Sequence, residues 1–557
     1  MKSLLFTCAL MLAAPAAFPS TQQTPPGIPD ALRIQAQDPA GAAKILEDVT
    51  TREPKNGRAW RLLGVALQQS KEPDRAIEAF MKALALGPDP GAAYNIGTAY
   101  ARKNDPDKAF EWLAQAKASR FDMTQMQVDT ALEPLRKDPR YTALLPAKED
   151  FANPFVEKTR ILGEWHGEAM NDQFGWVARD IGDVDRDGVR DFTTSAPTSA
   201  AAGLNAGRIY VYSTKTRKLL WKADGRAGDR LGTTIEAAGD VNADGTPDVV
   251  ASGGGRVLVY SGLDGAILRT FTSPGPLPLT STSAAGDVDR DGHTDILAGA
   301  TSPPPAPGAN PATPAAGAAY VFSGKSGAVL LSLEGENAGD GFGSAVAGYA
   351  GPKQVLLIVG APGAGPQNTG RTYVYTSLSK KPTYVIDADG TGAALGAMFV
   401  AAAGDVDKDG IVDAYVSDFS NRAKGPSTGR VYVHSGRTGA RLLTLTGEGP
   451  GEGFGTSASV AGDLDGDGHA DLAVGAWQYA GAAPSGGRIY LYSGKDGQLL
   501  RTITCRIPGD TLGFDSVGIG DTDGDGTVDL LLTSAYSGLN GYHSGRLFIV
   551  SSGIRAR

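Results

Sequence analysis

The sequence predicts an all-β seven-bladed propeller preceded by a small all-α helical-repeat domain, and three observations carry that reading. First, D-x-D-x-D-G-x-x-D recurs six times, starting at Asp183, Asp240, Asp287, Asp405, Asp463 and Asp521, with Asn242 in place of the second Asp once. The starts are separated by 57, 47, 118, 58 and 58 residues, so one gap is about twice the period and a seventh unit lies near residue 348. Second, Gly-Arg followed by a β-rich run appears at Gly207-Arg208, Gly255-Arg256, Gly370-Arg371, Gly429-Arg430, Gly487-Arg488 and Gly545-Arg546, and a seventh copy reads Gly317-Ala318-Ala319. Third, from Pro29 to Leu145 the composition changes to Ala, Leu, Lys and Glu with helical periodicity.

In chain order, residues 1–20 combine Lys2, an apolar run from Leu4 to Ala14 and an Ala14-Pro15-Ala16 cleavage pattern, which reads as a secretory signal peptide. Export to the periplasm, the cell surface or the medium is expected. Cleavage would remove Cys8 and leave Cys505 alone, so no internal disulfide is expected. No run of eighteen apolar residues follows, and no membrane span is expected.

Residues 29–145 form the helical domain and 146–154 a Pro-containing linker. Trp60, Leu63, Gly64, Leu67, Ala76, Phe80, Ala83 and Pro88 fall in a pattern that Ala93, Ile96, Gly97, Tyr100, Ala109, Leu113 and Ala116 repeat 33 residues on. This pattern resembles the tetratricopeptide repeat. Ala42, Leu46 and Pro54 suggest a degenerate earlier repeat, and Val128 to Leu145 a capping helix. Such an array either holds a peptide in its concave face or serves as a spacer.

Residues 155–557 carry the seven units. Each runs from an aromatic or Leu before Gly, through the acidic loop and an apolar run, to a Gly/Pro-rich loop and the Gly-Arg strand. That order makes four short strands per unit. Radially repeated four-stranded sheets bury their faces against one another and leave little edge exposed. Phe454-Gly455, the Asp463 loop and Val474-Gly475-Ala476, like Phe174-Gly175, Phe342-Gly343 and Gly360-Ala361-Pro362, resemble the FG-GAP repeats of the integrin α-chain head. The resemblance implies a seven-bladed calcium-binding propeller with adhesion or other protein-binding roles. The chain ends soon after Phe548-Ile549-Val550, where other units supply a fourth strand, so Thr159 to Trp165 is expected to complete the last blade.

In the acidic loop, positions 1, 3, 5 and 9 offer side-chain oxygens, position 7 a backbone carbonyl, and Gly at position 6 the sharp turn, which suits calcium. The expected ligands are Asp183, Asp185, Asp187, Val189 and Asp191; Asp240, Asn242, Asp244, Thr246 and Asp248; Asp287, Asp289, Asp291, His293 and Asp295. The later loops give Asp405, Asp407, Asp409, Ile411 and Asp413; Asp463, Asp465, Asp467, His469 and Asp471; Asp521, Asp523, Asp525, Thr527 and Asp529. About six calcium ions are expected and none in the fourth blade, where no acid stands between Asp340 and Asp387. A lone Asp-Gly is commonly only a hairpin turn, but six nine-residue copies exceed what turns require.

The formal net charge of −9 is mostly this ligand set, so the acidity points to neither nucleic acid nor a membrane surface as partner. No Gly-x-Ser-x-Gly elbow, zinc-type His spacing or phosphate loop is present, and no catalytic residue is assigned. Recognition is expected on the face opposite the calcium loops, where loops vary in length. Candidates there are Trp165, His166, Phe419, Asn421, Arg422, Trp477, Gln478, Tyr479, Tyr536, Tyr542 and His543. The partner would be an extracellular or periplasmic protein or a polysaccharide. The alternative is a calcium-stabilised propeller enzyme, a lyase or hydrolase of polysaccharide or lipid. The six Gly-Arg arginines are expected to pair with nearby acids or carbonyls rather than form a basic ring. Thr301 to Ala316, rich in Pro, Ala and Gly, reads as a loop.

Overall fold

A computed structural model describes residues 25–302, 315–457 and 459–555. The signal segment and most of the Thr301 to Ala316 stretch lie outside these residues. Contacts divide the described chain into two units, meeting in sequence between Asp150 and Phe151.

In the first unit, helices span Ile28–Ile34, Pro39–Arg52, Gly57–Gln69, Pro73–Leu86, Pro90–Arg102 and Pro106–Ala118. Asp38, Asn56, Asp89 and Asp105 each accept a backbone N–H of the first helical turn, and in three of these helices Pro39, Pro90 or Pro106 stands at the first position, where no donor is needed. The pairs pack closely because of two glycines. A Cβ on Gly64 would lie 2.4 Å from Phe80, and one on Gly97 2.8 Å from Leu113. The expected capping helix over Val128 to Leu145 is instead a 3₁₀ turn, Thr130–Leu135, and a short helix, Pro139–Leu144, following another 3₁₀ turn at Met123–Gln127. Asp129 and Asp138 cap new starts there, and Pro134 and Pro139 lack the N–H a continuous helix requires.

The second unit is seven four-stranded antiparallel sheets. The first blade comprises Ala178–Gly182, Asp191–Ala196, Arg208–Tyr212 and Leu219–Asp224, and the others repeat it. Innermost strands of successive blades pack on one another, and Ala178–Gly182 meets Ser516–Gly520 of the last blade to close the ring. Second and third strands are almost wholly buried between neighbouring blades, as in Asp471–Ala476 and Arg488–Tyr492. The Phe of the Phe-Gly pair meets a Tyr of the Gly-Arg strand edge to face in three blades: Phe174 with Tyr210, Phe342 with Tyr373, and Phe454 with Tyr490, at 5.2–5.4 Å.

Ile161–His166 completes the last blade, with Glu164 opposite Phe548 and His166 opposite Arg546. The chain before it also joins this blade: Phe151 and Phe155 are buried with Cys505 and Phe548. Packing into the propeller therefore begins at Phe151, inside the stretch read as a linker. The fourth blade turns tightly, Gly351 pairing with Gln354 across Pro352-Lys353. The six Gly-Arg arginines all find partners: Asp224 and Glu168 for Arg208, Asp229 for Arg256, Asp387 for Arg371, Asp389 for Arg430, Glu448 for Arg488, and Glu164 and Asp510 for Arg546.

Trp165, in the closing strand, is 7% exposed and packs edge to face on Phe192 of the first blade at 4.8 Å. Trp165→Ala should cost about 3–5 kcal/mol of stability, because the closing strand loses its largest buried group. Denaturant unfolding followed by intrinsic fluorescence checks this; a loss below about 1 kcal/mol would mean the closing strand does not secure the ring.

Candidate functional site

Each acidic loop joins the first and second strands of its blade, so all six lie at one end of the sheets. Gly at position 6 has φ of +80 to +87° in every copy, a conformation that strains any side-chain-bearing residue. The first Asp accepts from the N–H groups of positions 5 and 6 at 2.8–3.1 Å, which folds the loop over its own carboxylate. The ninth-position Asp is fully buried in all six copies and accepts the N–H of position 2. In five blades its second oxygen accepts an N–H from the hairpin between the third and fourth strands, as Asp191 does from Thr214.

In five loops three carboxylates each offer an oxygen within 4.8 Å of the others: Asp183, Asp185 and Asp191; Asp287, Asp289 and Asp291; Asp405, Asp407 and Asp413; Asp463, Asp465 and Asp471; Asp521, Asp523 and Asp529. These clusters could hold a metal ion. Two features fit that donor set to a hard cation. All donors are oxygens. In the last blade the second oxygen of buried Asp529 has no donor among the described residues, because no hairpin follows the third strand there. The second-blade loop forms no such three-acid group among the described residues; the Asn242 amide donates to Asp244 at 2.8 Å. His293 and His469 turn their rings to the neighbouring loops, with Nδ1 2.8 Å from the Val241 carbonyl and 2.7 Å from that of Val406.

Burial pushes Asp191, Asp248, Asp295, Asp413, Asp471 and Asp529 up to about 6, against the backbone N–H groups that favour ionisation. With a raised carboxyl the folded, metal-free loop holds its proton more tightly than the unfolded chain. Protonation therefore stabilises it fully below the ordinary value of 3.8, and that contribution is lost as pH rises through about 6. A bound cation needs the carboxylate, so its affinity rises over the same window. The increase in Tm on adding calcium should thus grow between about pH 5 and about pH 7.5. Scanning calorimetry at both pH values checks this, and a pH-independent increment would contradict it.

The opposite end of the sheets carries the connections between second and third strands and the residues just before each first strand. An aromatic cluster forms there from the first, sixth and last blades. Trp176 lies 4.5 Å from Phe514 and 6.3 Å from Tyr536, and Trp477 lies 5.6 Å and 5.7 Å from the same two rings. His543 meets Tyr536 at 4.7 Å and stacks on Tyr542 at 3.6 Å. Burial lowers His543 to about 4, so its ring is neutral near pH 7. Trp176, Trp477, Tyr542 and His543 are partly exposed, whereas Phe514 and Tyr536 form the buried floor.

The predicted face residues divide accordingly. Trp477, Tyr536, Tyr542 and His543 come together; Gln478 lies beside them in sequence, partly exposed. Arg422 and His166 are exposed elsewhere. Tyr479 is half-buried beneath the Arg488 guanidinium at 3.8 Å, and Phe419 packs on Phe399 at 6.4 Å. Asn421 is fully buried, its amide donating to Asp418. Trp165 faces the core because strand alternation turns it inward beside exposed His166. Asn421 and Trp165 are therefore structural. Trp176 and Phe514 were not foreseen, although a comparison of blades marks them: they follow Gly175 and Gly513, where Gly232, Gly343, Gly396 and Gly455 are followed by Thr233, Ser344, Ala397 and Thr456.

Comparison with known proteins finds repeats of two kinds. An FG-GAP-like repeat model matches residues 240–298, an FG-GAP repeat model residues 454–492, and a tetratricopeptide repeat model residues 33–96. Integrin alpha-4 of Xenopus laevis is 30% identical over 199 residues, 32% of this chain and 18% of that protein. Integrin alpha-X of Mus musculus is 30% identical over 254 residues, 40% of this chain and 21% of that protein. A crystal structure of BBS1N in complex with ARL6DN, soaked with lead, aligns with a TM-score of 0.43 and 10% identity, covering 72% of this chain and 99% of that one. The chain thus carries FG-GAP-like repeats and a tetratricopeptide repeat where those models match, and part of its seven-bladed propeller is similar to integrin α chains. The matched region spans about a fifth of the length of these two integrin chains. Among the described residues no helix is long and apolar enough to cross a membrane.

Proposed function

We propose that the protein is an exported, calcium-stabilised binding propeller. It recognises an extracellular or periplasmic protein or polysaccharide through the face opposite the acidic loops, and the helical repeats act as a second interaction module or spacer. The observation that carries this reading is the aromatic cluster, where loops of three blades place partly exposed Trp176, Trp477 and Tyr542 on a buried floor. Exposed aromatics on a rigid scaffold offer large contact area at small entropic cost. Similarity to integrin α chains supports an adhesive role.

Calcium holds the opposite end. Six ions would sit in the first three and last three blades, on the side-chain oxygens of positions 1, 3, 5 and 9 and the position-7 carbonyl. The fourth blade needs none, since its hairpin closes over Pro352-Lys353. Extracellular modules of this chemistry bind calcium at about 10⁻⁴ to 10⁻³ M, which favours steady occupancy over sensing.

Calcium titration by calorimetry should give six sites, and Asp471→Asn one fewer; an unchanged count would remove that loop from the ligand set. For function, purified protein is screened against extracellular proteins and polysaccharides with and without chelator, reading bound protein and released product together. Retention without product, lost on chelation and weakened about tenfold or more by Trp477→Ala, is the expected result. Time-dependent product would replace the binding reading with an enzymatic one.

A further inference from the structure

Among the described residues of the loop face, Arg230 is a half-buried cation that no acid meets. Arg230 stands just before Leu231-Gly232, the second blade's counterpart of the Phe-Gly pair, with φ of +51°. That bend is common to the blades, since Gln173, Gly341, Gly453 and Thr511 adopt it too, so it does not explain an arginine. The Trp176 indole N–H donates to the Thr233 carbonyl at 3.2 Å, and the Thr233 hydroxyl donates to the Arg230 carbonyl at 2.8 Å. Arg230 thus adjoins the aromatic cluster on the Trp176 side.

Its guanidinium is half-buried, yet among the described residues it forms no ion pair or side-chain hydrogen bond. The adjacent acid, Asp229, is committed to Arg256 at 2.9 Å. Burial lowers Arg230, and the group acting electrostatically on it is the Tyr536 phenol of the cluster floor. The contrast with the six Gly-Arg arginines is sharp, since each of those meets an acid. The second blade's own connection at this end is only Gly254-Gly255, so it adds no side chain over Arg230. A desolvated cation without a counter-ion is costly unless a ligand supplies the charge.

We propose that Arg230 and the neighbouring rings form a subsite for a carboxylate-bearing sugar, a uronate residue of an acidic polysaccharide. The planar guanidinium fork matches a carboxylate, and the rings beside it offer flat apolar surface to the C–H faces of a pyranose. One cation among several rings suits a ligand with one charge and one flat face per unit, better than an acidic peptide whose charges are denser than its apolar surface. This inference rests on the loop-face reading above.

The test is calorimetric titration of the full-length, calcium-loaded protein with a hyaluronan hexasaccharide, a neutral chitin hexasaccharide and a hexaglutamate peptide. Wild type, Arg230→Gln, Arg230→Lys and Trp477→Ala are compared after their Tm values confirm folding. The wild type should bind the uronate probe and not the neutral one, Arg230→Gln should lose about tenfold or more, and Arg230→Lys should lose less. Loss with Trp477→Ala but not with Arg230→Gln would overturn the subsite and leave the loop-face reading standing. No binding by the wild type, equal binding of the neutral probe, or tighter binding of hexaglutamate would each overturn the uronate assignment.

Discussion

One buried carboxylate in each of six blades ties together the acidic-loop end of this propeller. The ninth-position Asp joins its loop to position 2 and, in five blades, reaches the hairpin joining the third and fourth strands, so one side chain ties three segments of a blade. Burying it costs free energy, as its raised pKa records, and the cost is offset when a cation takes the charge. The fourth blade has neither the carboxylate nor the cost, because Gly351, Pro352 and Lys353 turn the strand directly. The last blade has the carboxylate but its outer strand comes from Ile161–His166, and one Asp529 oxygen is left without a donor among the described residues. Both exceptions follow from the same tie.

The rest of the ring is cemented by repeated packing. Strand starts pair Arg with an acid, and in three blades the interior places a Phe edge on a Tyr. The Arg and the Tyr of these contacts stand on the third strand, which neighbouring blades cover on both faces. The opposite face is thereby freed to vary, its connections running from Gly254-Gly255 in the second blade to the whole stretch from Thr301 to Gly317 in the third.

The blade count, the closing strand and the loops were legible in the sequence because each is written several times over in fixed spacing. The capping segment was less so, since apolar spacing over Val128 to Leu145 looks helical until Pro134 and Pro139 are weighed. On the loop face the sequence named aromatics but not their direction. Trp165 and His166 are neighbours, yet strand alternation sends one inward and the other outward. Asn421 lies in a loop and is buried by its bond to Asp418. Trp176 and Phe514 carry a signal visible only by contrast with small residues in other blades. Arg230 carries none, because its lack of an acidic partner is a fact of three dimensions.

The central claim is that cations on the buried carboxylates hold the blades. Hydrogen exchange of the full chain, resolved by blade and compared with and without a calcium chelator, tests it most directly. The account predicts that chelation strips protection from the hairpins of the six loop-bearing blades and spares Val346–Gly351 and Gln354–Ala361 of the fourth. Equal loss in the fourth blade, or no loss in the other six, would contradict it.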